Sequence, residues 1–157
     1  MRPPRRWGFR CAKCSGSWLS WANRSGEQGL DLSVRGGRHN VAGFGTNDGG
    51  VVLDLRLMNN VHIDPERRIA SVGGGATWGD VDYAAWAFGL ATPGAILSTT
   101  GVGGLGLGAG FGHLTRRYGL VVDNFRAMDV VTADGRLAHA GEDENPDLYL
   151  GTSRWRR

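Results

Sequence analysis

Periodic patterning begins at Leu30. Residues 32–35 form a short apolar run closed by Gly36-Gly37 and predict a buried strand, and residues 51–55, entered through Asp48-Gly49-Gly50, predict a second. Val61 and Ile63 alternate with polar neighbours before Asp64-Pro65-Glu66 turns the chain into residues 69–72, which predicts a hairpin. Thr77 stands at an N-cap position with Asp80 three residues on. Val81, Ala84, Ala85 and Phe88 then recur at helical spacing, and Gly89 ends the helix. Residues 127–131 and 136–140 flank Asp134-Gly135, where both central positions tolerate positive φ, the signature of a tight hairpin. Strands and helices mixed without strict alternation predict an α+β domain. Residues 1–29 show neither period and receive no element.

Composition adds one outlier. The 157 residues are 41% hydrophobic, enough for one domain with a core, but 27 are glycine, well over the usual ~7% share, without a collagen period. Something in the fold needs main chain without side chains. The charge of +3 belongs to the ends: residues 1–29 and 150–157 together carry +8, whereas residues 30–149 carry −5. The patterned region is mildly acidic, which argues against nucleic acid, and a basic DNA-binding reading rests on the terminal arginines alone. Cys11 and Cys14 make a solitary C-x-x-C without the second ligand pair of a zinc site, so no metal is expected. Arg5-Arg6 is not followed by an apolar stretch, and no run reaches the ~18 apolar residues of a membrane span. A cytoplasmic setting is expected, with no membrane partner.

Three glycine clusters concentrate the candidate chemistry: Gly36-Gly37-Arg38-His39-Asn40, Gly73-Gly74-Gly75, and residues 101–112, seven of which are glycine. Glycine turns let N–H groups converge on an anion without Cβ atoms in the way, as a pyrophosphate requires. One such cluster is as readily an ordinary tight turn; several in one small domain suggest a large phosphate-bearing ligand. Gly101-Val102-Gly103-Gly104-Leu105-Gly106 also fits G-x-G-x-x-G, with Asp123 downstream, but Pro93-Gly94 interrupts the strand that motif needs, so a Rossmann site is set aside. No Walker A loop is present.

The segment from Val34-Arg35-Gly36-Gly37-Arg38-His39-Asn40 to Gly43 resembles the R-G-G-G-H-[NS] motif of the vanillyl-alcohol-oxidase-type (PCMH-type) FAD-binding family, in its berberine-bridge-enzyme-like branch. Residues 74–80, residues 91–94, residues 99–112, and the run from Arg117-Tyr118-Gly119-Leu120 to Asp134-Gly135 match the same branch in order, so the resemblance covers residues 30–149 without a break. It implies the FAD-binding domain of a flavin-dependent oxidoreductase, built of two small α+β subdomains that divide near residues 98–104. The residues it would place on FAD are Arg35, Gly36, Gly37, Arg38, His39, Asn40, Gly43, Pro93, Gly94, Thr100, Gly101, Val102, Gly104, Leu105, Gly108 and Gly110. His39 takes the place of the histidine bonded to the flavin 8α-carbon, a role that suits an imidazole nucleophilic near neutral pH. Arg38 replaces the third glycine of the motif, adding a cation beside the phosphates or hindering the loop's approach. Leu97 stands where bicovalent members carry cysteine, so a single link is implied.

Leu105, Leu107 and Phe111 are expected to pack in the core, and His113 and Arg116 to face water; His62 and His139 receive no role, and no catalytic residue is assigned. The family's sequence gives way to unrelated residues before Leu30 and after Tyr149, which implies a chain incomplete at both ends and lacking a substrate domain. Little turnover is then expected, since nothing positions a hydride donor. The competing expectation is a non-catalytic remnant with weak or no flavin binding.

Overall fold

The structure, a computed structural model, describes residues 27–152 and the backbone of residues 8–11. The readings of Arg5-Arg6, Cys14 and residues 153–157 lie outside the described residues. Two sheets carry the fold. The larger contains β1 (Gly8–Cys11), β4 (Val61–Asp64), β5 (Ile69–Val72), β6 (Phe125–Val131) and β7 (Leu137–Gly141), in the order β4-β5-β1-β6-β7. β1 runs parallel to both β5 and β6, while β4/β5 and β6/β7 are antiparallel hairpins on its flanks. The second sheet is the parallel pair β2 (Leu32–Arg35) and β3 (Val51–Asp54).

Both hairpins form where the alternating pattern and turn residues put them. Asp64 Oδ1 accepts from the Arg67 N–H at 2.9 Å and shapes the first turn. The second turn differs from the two-residue form expected. Gly135 N–H donates to the Thr132 carbonyl at 2.8 Å and only Gly135, at φ 71°, is left-handed, so three residues cross between the strands. Thr132 and Arg136 both donate to the Asp134 carboxylate and pull its pKa down to about 2.

Helix α1 (Trp78–Trp86) starts with a reciprocal cap: Thr77 N–H donates to Asp80 Oδ2 at 2.8 Å, and Asp80 N–H donates to Thr77 Oγ1 at 3.4 Å. Gly89 at φ +62° follows its end, and Leu90 N–H reaches back to the Ala85 carbonyl. Trp78, Val81 and Ala85 face the core beside β4. Phe88 lies past the last turn and stays half exposed. Helices α2 (Val102–Leu107), α3 (Thr115–Tyr118) and α4 (Pro146–Thr152) follow, with a 3-10 turn at Val122–Asn124. α4 is pinned to β6 by the buried Tyr149 hydroxyl, which donates to the Phe125 carbonyl at 2.7 Å. No described helix is long and apolar enough to cross a membrane.

Three expectations are corrected. Leu32 and Val34 are 38% and 53% exposed, so β2 is not the buried strand its apolar run predicts; its described strand partner is β3 alone. Leu107 and Phe111, expected in the core, are 39% and 64% exposed, because the chain leaves α2 through left-handed Ala109 and Gly110 and carries both outward. Gly8-Phe9-Arg10-Cys11, given no element, forms the central strand. Neither alternating nor rich in β-branched residues, it owes its form to the ladders on both sides rather than to its own pattern.

Candidate functional site: a cleft between glycine loops

The first glycine loop, leaving β2, and the third, entering α2, touch main chain to main chain. A Cβ on Gly37 would lie 2.1 Å from the Gly101 nitrogen, and one on Gly101 would lie 2.5 Å from the Gly37 nitrogen. Only glycine at both positions allows this approach. The third loop is also fastened to the entry of α1: Trp78 N–H donates to the Thr100 carbonyl at 2.9 Å, Gly79 N–H to Ser98 at 2.8 Å, and Val102 N–H to Ala76 at 2.9 Å. These contacts enclose a cleft of about 520 Å³, within the range of small-molecule sites. Gly36, Gly37 and Arg38 line one side, Ser98 and Thr99 another, and Gly75, Thr77, Gly79 and Asp80 the floor, with Arg56 and Asn59 at the margin.

The lining favours an anion. Among the described residues, no carbonyl or side chain accepts from the N–H groups of Gly37, Arg38, Ser98 or Thr99. Arg38 enters the wall at φ 62°, a left-handed geometry that an L-residue adopts at a cost. Arg56 is held by Asp54, Nε to Oδ2 at 3.0 Å, and its own N–H donates to Asp54 Oδ1 at 3.1 Å. The guanidinium of Arg35, 2.8 Å from Asp54 Oδ2, holds that carboxyl below the usual carboxylate range, helped by the Arg56 N–H. The one lining carboxylate, Asp80, is occupied by the Thr77 N–H and hydroxyl, both at 2.8 Å.

Of the residues predicted for a cofactor, Gly36, Gly37 and Arg38 reach the cleft directly, and Gly101 locks its two sides together. Exposed His39 places Nε2 2.9 Å from Thr99 Oγ1, at the cleft edge. Asn40 Oδ1 accepts from the Phe44 N–H, and Gly43 turns that same loop at φ 79°. Arg35 faces Asp54 across the small sheet. Pro93 is buried, and a Cβ on Gly94 would meet the Trp78 ring at 2.7 Å. Val102 is buried and Leu105 packs on the core, while Gly110 backs against Val121. Gly104 and Gly108 lie within and just after α2, and Thr100 holds the α1 entry.

The second glycine cluster serves another end. A Cβ on Gly73 would lie 2.0 Å from the Met58 carbonyl oxygen and one on Gly75 1.7 Å from that of Leu55, and both N–H groups are already bonded to residues 58–60. These glycines let two chain segments cross. Arg56 and Asn59 were not anticipated, and Thr77 and Asp80 were read only as a cap; nothing local marks the first two as lining residues. A helix does follow Gly101, but its G-x-G-x-x-G glycine Gly106 seats α2 on the Phe125 ring, with a Cβ 2.4 Å away, and no strand leads into it. The Rossmann reading stays excluded.

Residues 19–141 match the family model described as FAD binding domain. The chain is 46% identical over 123 residues to (R)-6-hydroxynicotine oxidase of Paenarthrobacter nicotinovorans, covering 78% of this chain and 27% of the relative. It is 40% identical to xylooligosaccharide oxidase of Thermothelomyces thermophilus, covering 78% and 25%. Among solved structures, 6-hydroxy-D-nicotine oxidase from Arthrobacter nicotinovorans superposes with a TM-score of 0.87 at 39% identity, over 97% of this chain and 34% of that one. A berberine-bridge-enzyme-like protein of Physcomitrella patens gives 0.81 at 29% identity, over 86% and 30%. The chain thus spans about a quarter to a third of the length of these relatives. Within that span it belongs to the PCMH-type FAD binding domain family of berberine-bridge-enzyme-like oxidoreductases.

Proposed function

We infer that the cleft receives the diphosphate of FAD and that His39 is the point of covalent attachment. The chain then acts as the flavin-binding domain of an oxidoreductase moving a hydride from an alcohol, sugar or related C–H donor. The observation that carries the reading is the Gly37–Gly101 contact, which brings unspent N–H groups together beside Arg38 and Arg56. Bare amides and two guanidinium groups suit a diphosphate, whose oxygens accept several charge-assisted bonds at once. When bound, FAD supplies the hydride acceptor; the residues of this chain bind and orient it.

The domain extends over residues 30–149, with the boundary between its halves near residues 98–104. The cofactor contacts proposed are the sixteen residues named above, of which Gly36, Gly37, Arg38 and Gly101 have the strongest geometric support. The 157 residues by themselves are expected to bind the cofactor with little turnover. The test is reconstitution of the full chain with FAD followed by acid precipitation. Yellow colour stays with the precipitated wild-type protein and is lost in His39→Ala; colour that leaves with the supernatant in the wild type overturns covalent attachment.

A further inference from the structure

His39 and Thr99 are sixty positions apart, yet Nε2 and Oγ1 stand 2.9 Å from each other. The Gly37–Gly101 contact sets the spacing of the loops that carry them, so the pair is held by main chain and not by two mobile side chains. Thr99 Oγ1 has no other hydrogen-bond partner among the described residues, and its hydroxyl proton can turn to water. A neutral imidazole carries a proton on one nitrogen and an open lone pair on the other, and the partner of the first decides which is which.

We propose that Thr99 is a positioning residue: it accepts a hydrogen bond from Nε2–H of His39, fixes that tautomer, and leaves Nδ1 as the nitrogen that bonds to the flavin. The inference rests on attachment at His39 and adds which nitrogen reacts and what selects it. In the step, a C–N bond forms between Nδ1 and the 8α-carbon. The 8α-methyl group gives up one proton and the imidazole loses its Nε2 proton to solvent beside Thr99. Two electrons enter the flavin ring and pass with two protons to dioxygen, which leaves as hydrogen peroxide.

The test uses the full chain, Thr99→Val, Thr99→Ser and His39→Ala, each incubated in air with saturating FAD so that binding does not limit the rate. Acid-stable flavin is followed over time, and the linkage isomer in the proteolysed flavin peptide is assigned by NMR. The expected results are linkage through Nδ1 in the unsubstituted chain, a loss of about tenfold in rate for Thr99→Val, as for one orienting hydrogen bond, and recovery in Thr99→Ser. Linkage through Nε2, or Thr99→Val reacting at the full rate with a single isomer, overturns the role of Thr99 while leaving His39 as the attachment point. Thr99→Ser as slow as Thr99→Val, with an unaltered melting temperature, also overturns it. Acid-stable flavin in His39→Ala, or none in the unsubstituted chain, overturns the attachment reading and this inference together.

Discussion

Gly37→Ala places a methyl group 2.1 Å from the Gly101 nitrogen and 2.5 Å from its Cα, where ordinary contact begins at 3.4 Å. The obstacle is main chain, so no rotamer relieves it, and the first and third loops must part by about 1.3 Å. That movement stretches the 2.9 Å His39–Thr99 bond beyond hydrogen-bonding range and opens the cleft between its two anion-facing walls. Overpacking of this kind costs about 1–3 kcal/mol, which lowers the melting temperature of a chain this size by roughly 3–10 °C. Thermal unfolding followed by circular dichroism, with and without FAD, measures both effects: a lower melting temperature, and loss of the ligand-induced rise. Gly151→Ala is the control. Its Cβ meets nothing within 4 Å, and the site lies in α4, where alanine stabilises by up to about 1 kcal/mol. If Gly37→Ala melted like the wild type and kept the full FAD-induced rise, the contact between the glycine loops would be refuted.

Arg38→Gly relieves the left-handed backbone at φ 62° and is expected to stabilise the apo chain by about 1 kcal/mol in urea unfolding while weakening FAD binding; Arg38→Ala loses the charge but keeps the strain, so it gains no stability. Asp54 has a lowered folded pKa, so its stabilisation is fully present above its ordinary value of 3.8 and disappears as pH falls through the lowered one; Asp54→Asn should be less stable at neutral pH and show a flatter acid limb in urea titrations. Tyr149→Phe removes the donor to the buried Phe125 carbonyl and should cost about 1–3 kcal/mol in the same assay, through loosening of α4 from β6.

Features set by neighbours in sequence were legible before the structure. The Thr77–Asp80 cap, the β4/β5 and β6/β7 hairpins and the end of α1 at Gly89 each depend on a few adjacent residues whose side chains or φ angles favour one local form. Features set by distant partners were not. Gly8-Phe9-Arg10-Cys11 is a strand because β5 and β6 flank it, and nothing in its own four residues says so. Arg56 reaches the cleft because Asp54 holds it and residues 55–60 cross over Gly73 and Gly75. Glycine in a sequence reports that something comes close without naming what does: another chain segment at Gly73 and Gly75, a core ring at Gly106, and a facing loop at Gly37. The motif order found the right loops, and only packing could sort those at the cleft from those that hold the fold.

Calorimetric titration of the full chain with FAD and, separately, with riboflavin compares two ligands that share the isoalloxazine, one of them without phosphate. Measured in the covalently unreactive His39→Ala background, FAD should bind at least about tenfold more tightly than riboflavin, because the amides and arginines of the cleft act on the diphosphate. Equal affinities, or no heat from either ligand, would contradict a diphosphate site between the glycine loops.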